Sequence, residues 1–312
     1  MLAPDLSLRV ASRSAAATPL ILDFVAGRYE REGVPTADFT AVAGVSYART
    51  GVGLASRTNG TLATFPADAP RITDRGLLLE TAATNLFTRS DDFANSVWGT
   101  EGSRVGGFPA PDGTNNAVEI TLPNSAVTLA RILAGAGSAT GISGKLYVAS
   151  IEAFSWTSFL VRNETTATNL NSRAVDFSAH PSGTVNGWTV TPMADGWFEI
   201  AFTRTAGISA GDTVRIYFGN SGVNMNGRKL RLWGGNFFQS PSPGTPIPTG
   251  ASAATRGADA ASVVVPVGAT AWEAVYGDAD TVVGGTVTPG TTFDLATGRP
   301  WLNGFLKRFT LR

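Results

Sequence analysis

Few residues in this 312-residue chain could move a proton or attack a carbonyl. The one histidine, His180, stands in Ala179-His180-Pro181-Ser182-Gly183, a turn sequence, which argues against a Ser-His-Asp relay. The absence of cysteine excludes disulfides, thiolate metal sites and thiol nucleophiles. Gly135-Ala136-Gly137 lacks the third glycine of a dinucleotide fingerprint, and Gly144-Lys145 lacks the leading glycine and the hydroxyl residue of a P-loop. Paired carboxylates hydrolyse glycosides, and Asp91, Asp92, Glu101, Glu152 and Asp195 are the acids to consider, but nothing in their spacing makes two of them converge. Asp91 and Asp92 read as caps of a turn, and Asp278 and Asp280 after Gly277 as a solvated turn without calcium-loop spacing. The expectation is a protein that is not an enzyme.

Recognition is the chemistry that remains. Sugars present apolar ring faces and hydroxyl edges, so a sugar site combines an open Trp or Tyr with nearby Arg, Asn or Asp. Trp156 and Arg162 share strand parity opposite Phe159 and Val161, Tyr217 falls opposite Val214, Ile216 and Phe218, and Trp188 lies beside Asn186. Trp156, Arg162, Trp188 and Tyr217 are therefore the predicted ligand contacts, outside the hydrophobic core. Packing is the competing reading of each ring.

The elements that must hold these side chains are strands. Hydrophobic residues make up 43% and charged residues 15%, with 36 Gly and 17 Pro, which favours many short strands joined by tight turns. Val118, Ile120 and Leu122, then Phe198, Ile200 and Phe202, then Val214, Ile216 and Phe218 alternate with other residues, each triplet marking a strand with one buried face. Further strands are read at 127–133, 145–153, 158–162, 173–177, 187–191 and 229–238, with turn signals such as Asn186-Gly187, Gly211-Asp212 and Asn226-Gly227 between them. This is the pattern of a two-sheet antiparallel sandwich, and the fold class is all-β.

Four parts are expected. Residues 1–70 read as an N-terminal arm and an attachment segment too glycine-rich to close its own core, 71–240 as the sandwich, 241–254 as a proline-rich linker open to proteases, and 255–312 as a small β unit closing with an Asn303-Gly304 hairpin. Lys and Arg number 24, as do Asp and Glu, so no basic stripe calls for nucleic acid, and an uncharged or mixed ligand fits better. No run approaches a membrane span and no secretion signal opens the chain, so it is expected in the cytoplasm where it is made.

One stretch organises the whole, Pro70 to Trp98, with Gly76-Leu77-Leu78-Leu79-Glu80, Thr84-Asn85-Leu86 and Ser90-Asp91-Asp92-Phe93 ahead of the tryptophan. Ala110-Pro111-Asp112-Gly113-Thr114 follows it, then Asp195-Gly196-Trp197-Phe198, Leu232-Trp233-Gly234-Gly235, and Thr255-Arg256 with Asp259. In this order the motifs resemble structural proteins of tailed phages and phage-like particles, of the head-spike or tail-fibre type, in which they open and close a jelly-roll domain like a carbohydrate-binding module. The resemblance implies a virion or gene-transfer-agent component assembled in the bacterial cytoplasm. Its partners would be capsid or tail proteins, further copies of itself and host surface polysaccharide, with neither nucleic acid nor membrane insertion. It implies structural roles for Trp98, Trp197 and Trp233 and no cofactor, with a structural Ca²⁺ near Asp91 and Asp92 as the alternative to their capping of a turn. A glycan-degrading fibre enzyme and an assembly protein without ligand are the rival readings.

Overall fold

Short apolar runs punctuated by Gly, Asn and Asp give short strands, and the regular structure is almost entirely β. The computed structural model describes residues 19–100, 102–121, 129–150, 156–218, 228–300 and 303–312. The arm expected at the N-terminus, Glu101, Glu152 and the Asn226-Gly227 turn lie outside the described residues, apart from Pro19.

The first part of the chain supplies β1 (Leu20–Asp23), β2 (Arg28–Arg31), β3 (Val34–Thr36), β4 (Val45–Ala48), β5 (Gly53–Ser56), β6 (Leu62–Phe65), β7 (Ile72–Thr73), β8 (Gly76–Glu80) and β9 (Ala83–Asn85). A sandwich follows, built from β10 (Gly99–Thr100), β11 (Ser103–Phe108), β12 (Ala117–Thr121), β13 (Leu129–Leu133), β14 (Ile142–Ser150), β15 (Trp156–Asn163), β16 (Thr168–Asp176), β17 (Gly183–Val185), β18 (Trp188–Pro192), β19 (Trp197–Arg204), β20 (Val214–Phe218) and β21 (Lys229–Phe238). The last part adds β22 (Ala254–Arg256), β23 (Ala260–Val264), β24 (Ala271–Tyr276), β25 (Thr281–Thr286), β26 (Thr292–Asp294) and β27 (Asn303–Leu311).

The sandwich has a five-stranded sheet, β10-β13-β20-β15-β16, facing a seven-stranded sheet, β11-β12-β21-β14-β19-β18-β17, all antiparallel. The chain changes sheet at β10–β11, β12–β13, β13–β14, β14–β15, β16–β17, β19–β20 and β20–β21, the alternation of a jelly roll. Phe159, Val161, Val214 and Ile216 from one sheet meet Leu146, Val148, Trp188, Ile200 and Phe202 from the other in the main core. Asn186 and Gly187 both have positive φ, at 50° and 74°, so β17 and β18 are joined by the two-residue turn that this dipeptide predicts. Gly234 and Gly235 make a bulge opposite Leu146 in β14. A Cβ on Gly234 would stand 3.0 Å from the Tyr147 ring, and one on Gly235 3.0 Å from Phe93 and 3.1 Å from Trp98, which explains the paired glycines of that motif.

Outside the sandwich the strands divide differently from the four expected parts. β27 is the centre of an eight-stranded sheet: β24 pairs along one edge, while β1 and β8 share the other. β4 pairs with β23, a second link between the two ends of the chain. Residues 20–80 and 254–311 thus build one body, the frame, into which the sandwich is inserted. Neither end alone has enough apolar surface for a core. Together Leu20, Leu22, Tyr29 and Phe39 bury against Tyr276, Leu306, Phe309 and Leu311. The expected Asn303-Gly304 hairpin is absent for the same reason: both residues open β27 and pair with Glu80 and Leu79.

The proline-rich segment forms no strand, as its missing ladder donors require, yet it is a strap and not a loose linker. Its remaining N–H groups find side chains instead: Thr245 N donates to Glu80 Oε1 at 2.7 Å, Ile247 N to Asn236 Oδ1 at 2.8 Å, and Thr249 N to Ser90 Oγ at 2.8 Å. Asn85 Nδ2 returns a bond to the Ile247 carbonyl at 2.8 Å, and Ile247 itself is buried.

The β5–β6 hairpin is a wedge between sandwich and frame. Leu54 and Leu62 pack on the outer side of the seven-stranded sheet with Tyr147, Trp197 and Trp233. Ala55 faces the other way, against Leu78 and Phe305 of the frame. One outer face of the sandwich is therefore covered by this hairpin.

Candidate functional site

The hairpin lies against the seven-stranded sheet, so the outer face of the five-stranded sheet is where ligand contacts are sought. Alternation along β16 is strict, with Asn171, Arg173 and Val175 buried and Ser172, Ala174 and Asp176 exposed. Register then aligns the outward residues in rows across the strands. Tyr217 pairs with Leu160, and Leu160 with Ser172. One step along, Ile132 pairs with Arg215, Arg215 with Arg162, and Arg162 with Asn169. An apolar row thus lies beside a row of donors, about 7 Å apart at the usual rise per strand residue.

Glu164 ties the second row together. Its Oε1 lies 3.0 Å from Arg215 Nε and 3.4 Å from Arg162 Nε, and the Arg162 Nη1 also donates to Asn169 Oδ1 at 3.1 Å. Arg215 Nη1 donates to the Tyr217 hydroxyl at 2.9 Å, and its guanidinium lies 5.6 Å from the Tyr217 ring centre. The two guanidinium groups are held in place by these partners, each side chain about one-third exposed, beside Ile132 at 52%. This gives fixed donors and a carboxylate acceptor beside the exposed Ile132, while Leu160 and Tyr217 in the neighbouring row are 7% and 8% exposed. That combination suits the hydroxyl edges and ring faces of a sugar chain and provides no nucleophile or proton relay.

The four predicted contacts fall in different places. Arg162 and Tyr217 are on this face, in adjacent rows. Tyr217 is more covered than predicted: only 8% of it is exposed, since Arg215 lies over it. Trp156 opens β15 on the same parity, paired with Asp176, and its side chain lies outside the described residues. Trp188 is a correction. It belongs to the other sheet, on the parity of Val190, and its fully buried ring packs 4.9 Å from Phe202 and 5.5 Å from Phe159. The Asn186-Gly187 turn ends immediately before it, so the chain has already turned inward at the tryptophan. Sequence reading missed Arg215, Glu164 and Ile132, because cross-strand neighbours from β13 and β20 become visible only once the register is known.

The acids disperse. Asp195 sits at φ 55° in an exposed turn, and His180 caps a short 3₁₀ turn in the left-handed conformation, also exposed. The Asp92 side chain accepts from Asn95 Nδ2 at 3.4 Å. Burial pushes the Asp91 carboxyl up to about 6, against the hydroxyl bond from Ser90 and with help from Asp112. Among the described residues no three His, Asp or Glu side chains gather as a metal site.

The motif residues have another role. Glu80, Arg256 and Asp259 meet with Arg49 and Arg71 in a buried ionic cluster beneath the strap. Arg71 bridges the two carboxylates, Arg256 Nη1 lies 3.1 Å from Glu80 Oε2, and the Tyr47 hydroxyl donates to Asp259 Oδ1 at 2.6 Å. Burial alone would raise the Glu80 carboxyl, but Arg256, Arg71 and Thr245 together hold it down at about 2. The same carboxylate accepts both bonds from Thr245, so this cluster fastens the strap to the frame.

No family model and no curated protein matches the chain. Among solved structures it is similar in part to the family 27 carbohydrate-binding module 1 of Caldicellulosiruptor saccharolyticus, solved with mannohexaose. There the identity is 11% and the TM-score 0.29, over 52% of this chain and 98% of that one. A second similarity is to the full-length major pilin SpaD of Corynebacterium diphtheriae, at 7% identity and a TM-score of 0.18, over 83% of this chain and 60% of that one.

Proposed function

We propose that this chain is a non-catalytic polysaccharide-binding component of a phage or phage-like particle, with the open face of the sandwich as its contact with the host surface. The observation that carries the binding reading is the cross-strand row Ile132–Arg215–Arg162, tied together by Glu164, on the five-stranded sheet. The particle reading rests on the order of the sequence motifs, which in phage structural proteins bracket such a domain. In this reading the frame and the residues before it join capsid or tail proteins and further copies of the chain, and many weak sugar contacts then act together.

Retention of the purified chain on immobilised host capsule tests the binding. Replacing Arg162 and Arg215 together with Ala should weaken retention at least tenfold and shift Tm only slightly, because both side chains lie on an exposed face. Trp188→Ala should instead cost about 3–5 kcal/mol of stability, as for any emptied core aromatic. Unchanged retention in the double variant would remove the proposed face. Shortened glycan after incubation would replace binding with hydrolysis, and labelling the subunit on assembled particles tests the location.

A further inference from the structure

Between the wedge, the frame and the covered sheet lies a cleft of about 700 Å³ that the proposed function does not use. Its floor is Lys145, Tyr147 and Glu199 from β14 and β19. Lys145 Nζ lies 3.0 Å from Glu199 Oε2, and the Tyr147 hydroxyl donates to the same oxygen at 2.9 Å. The facing wall is Arg75, Asp278 and Phe305. The Arg75 guanidinium stacks 4.4 Å above the Phe305 ring centre and donates to Asp278 Oδ2 and to Ser56 Oγ, each at 2.6 Å. Thr58 and Thr191 add hydroxyls at the rim, and Leu62, Met193 and Pro243 add apolar surface.

Two features define what would fit. Charge is largely neutralised within the lining, since Lys145 pairs with Glu199, Arg75 with Asp278, and Glu80 with Arg71 and Arg256, so a strongly charged ligand of either sign gains little there. The polar groups are also fixed in advance by ion pairs and stacking, and the lining offers both donors and acceptors. We propose that the cleft is a second binding site, for a short neutral oligosaccharide, held between the Lys145–Glu199 floor and the Arg75–Phe305 wall. A site at this joint would read a ligand with both bodies of the protein at once. It is separate from the five-stranded face, because it lies on the opposite side of the sandwich.

Calorimetric titration of the full chain with mannohexaose and with cellohexaose tests it, with oligogalacturonate as the charged comparison. A neutral probe should bind, the charged one at least tenfold more weakly. Thr191→Trp, at an exposed rim position paired with Glu199, should fill the cleft and abolish that binding event, and Glu199→Gln should weaken it about tenfold without changing the shape. The Arg162 and Arg215 double variant should leave the event intact. If it alone removes neutral-sugar binding, the cleft is not a site although the sheet face is. If Thr191→Trp alone removes it, the cleft stands, and the sheet face is decided separately by retention of the Arg162 and Arg215 double variant on host capsule. Failure of every neutral probe to bind, or preference for oligogalacturonate, overturns the cleft proposal.

Discussion

Glu80 is the residue on which the joint between frame and strap depends. Its carboxyl, held at about 2 in the folded chain against an ordinary value of 4.5, is stabilising when ionised. That contribution is present above about pH 4.5 and is lost as pH falls through 2, on the order of 3 kcal/mol in all. Glu80→Gln should therefore cost about 3–5 kcal/mol at pH 7, where it takes the carboxylate from buried Arg256 and leaves buried Arg71 with Asp259 alone, and the loss should shrink towards pH 2. Denaturant midpoints at pH 7, 4 and 2.5 measure both. Asp91 has the opposite sign. Its folded value of about 6 lies above the ordinary 3.8, so protonation stabilises it below about pH 4 and the benefit is gone above 6. Asp91→Asn should raise stability by about 1–3 kcal/mol at pH 7.5 and leave it unchanged at pH 4, as thermal melts at the two values will show. Both carboxylates stood out in the sequence as motif members. The burial of Glu80 did not, because it depends on Thr245 of the strap, 165 residues further along the chain.

At the level of elements, what could be read from sequence was whatever one strand carries by itself. Alternation marked β12, β19 and β20 and placed Arg162 and Tyr217 on an outward face, and Asn186-Gly187 marked its hairpin. The misreadings each needed a partner strand. Asn303-Gly304 has the composition of a turn but lies in the middle of a sheet, where pairing with β8 overrides local preference. The strap has the composition of a linker, yet bonds from Glu80, Asn236, Ser90 and Asn85 take the place of a ladder. Limited proteolysis should therefore spare residues 243–249 in the native chain. Asn85→Ala removes bonds to Gly235, Ile247, Phe87 and Phe237 at once, and should make that segment the first site cut, as mass spectrometry of the fragments will show.

Across the whole molecule, two bodies share one chain unequally. The sandwich is continuous in sequence, whereas the frame is closed by strands from both ends, with β27 paired to β1, β8 and β24. A chain ending before Asn303 should keep the sandwich's buried tryptophans, seen in near-ultraviolet dichroism, and lose the frame as a cooperative unit; two unfolding transitions in the full chain would become one. The shared β27 also sets an order of events on the ribosome. The sandwich has all its strands once Phe238 has emerged, but β1, made near the start, has only β2 beside it until Leu311 leaves the exit tunnel. At roughly 5–20 residues per second, the sandwich has a lead of about 4–15 s, during which the apolar strands β1 and β8 wait with an open edge. A nascent chain must protect those edges, and a chaperone that binds extended apolar segments would be met there, at the first strand, until synthesis reaches the strand that covers it.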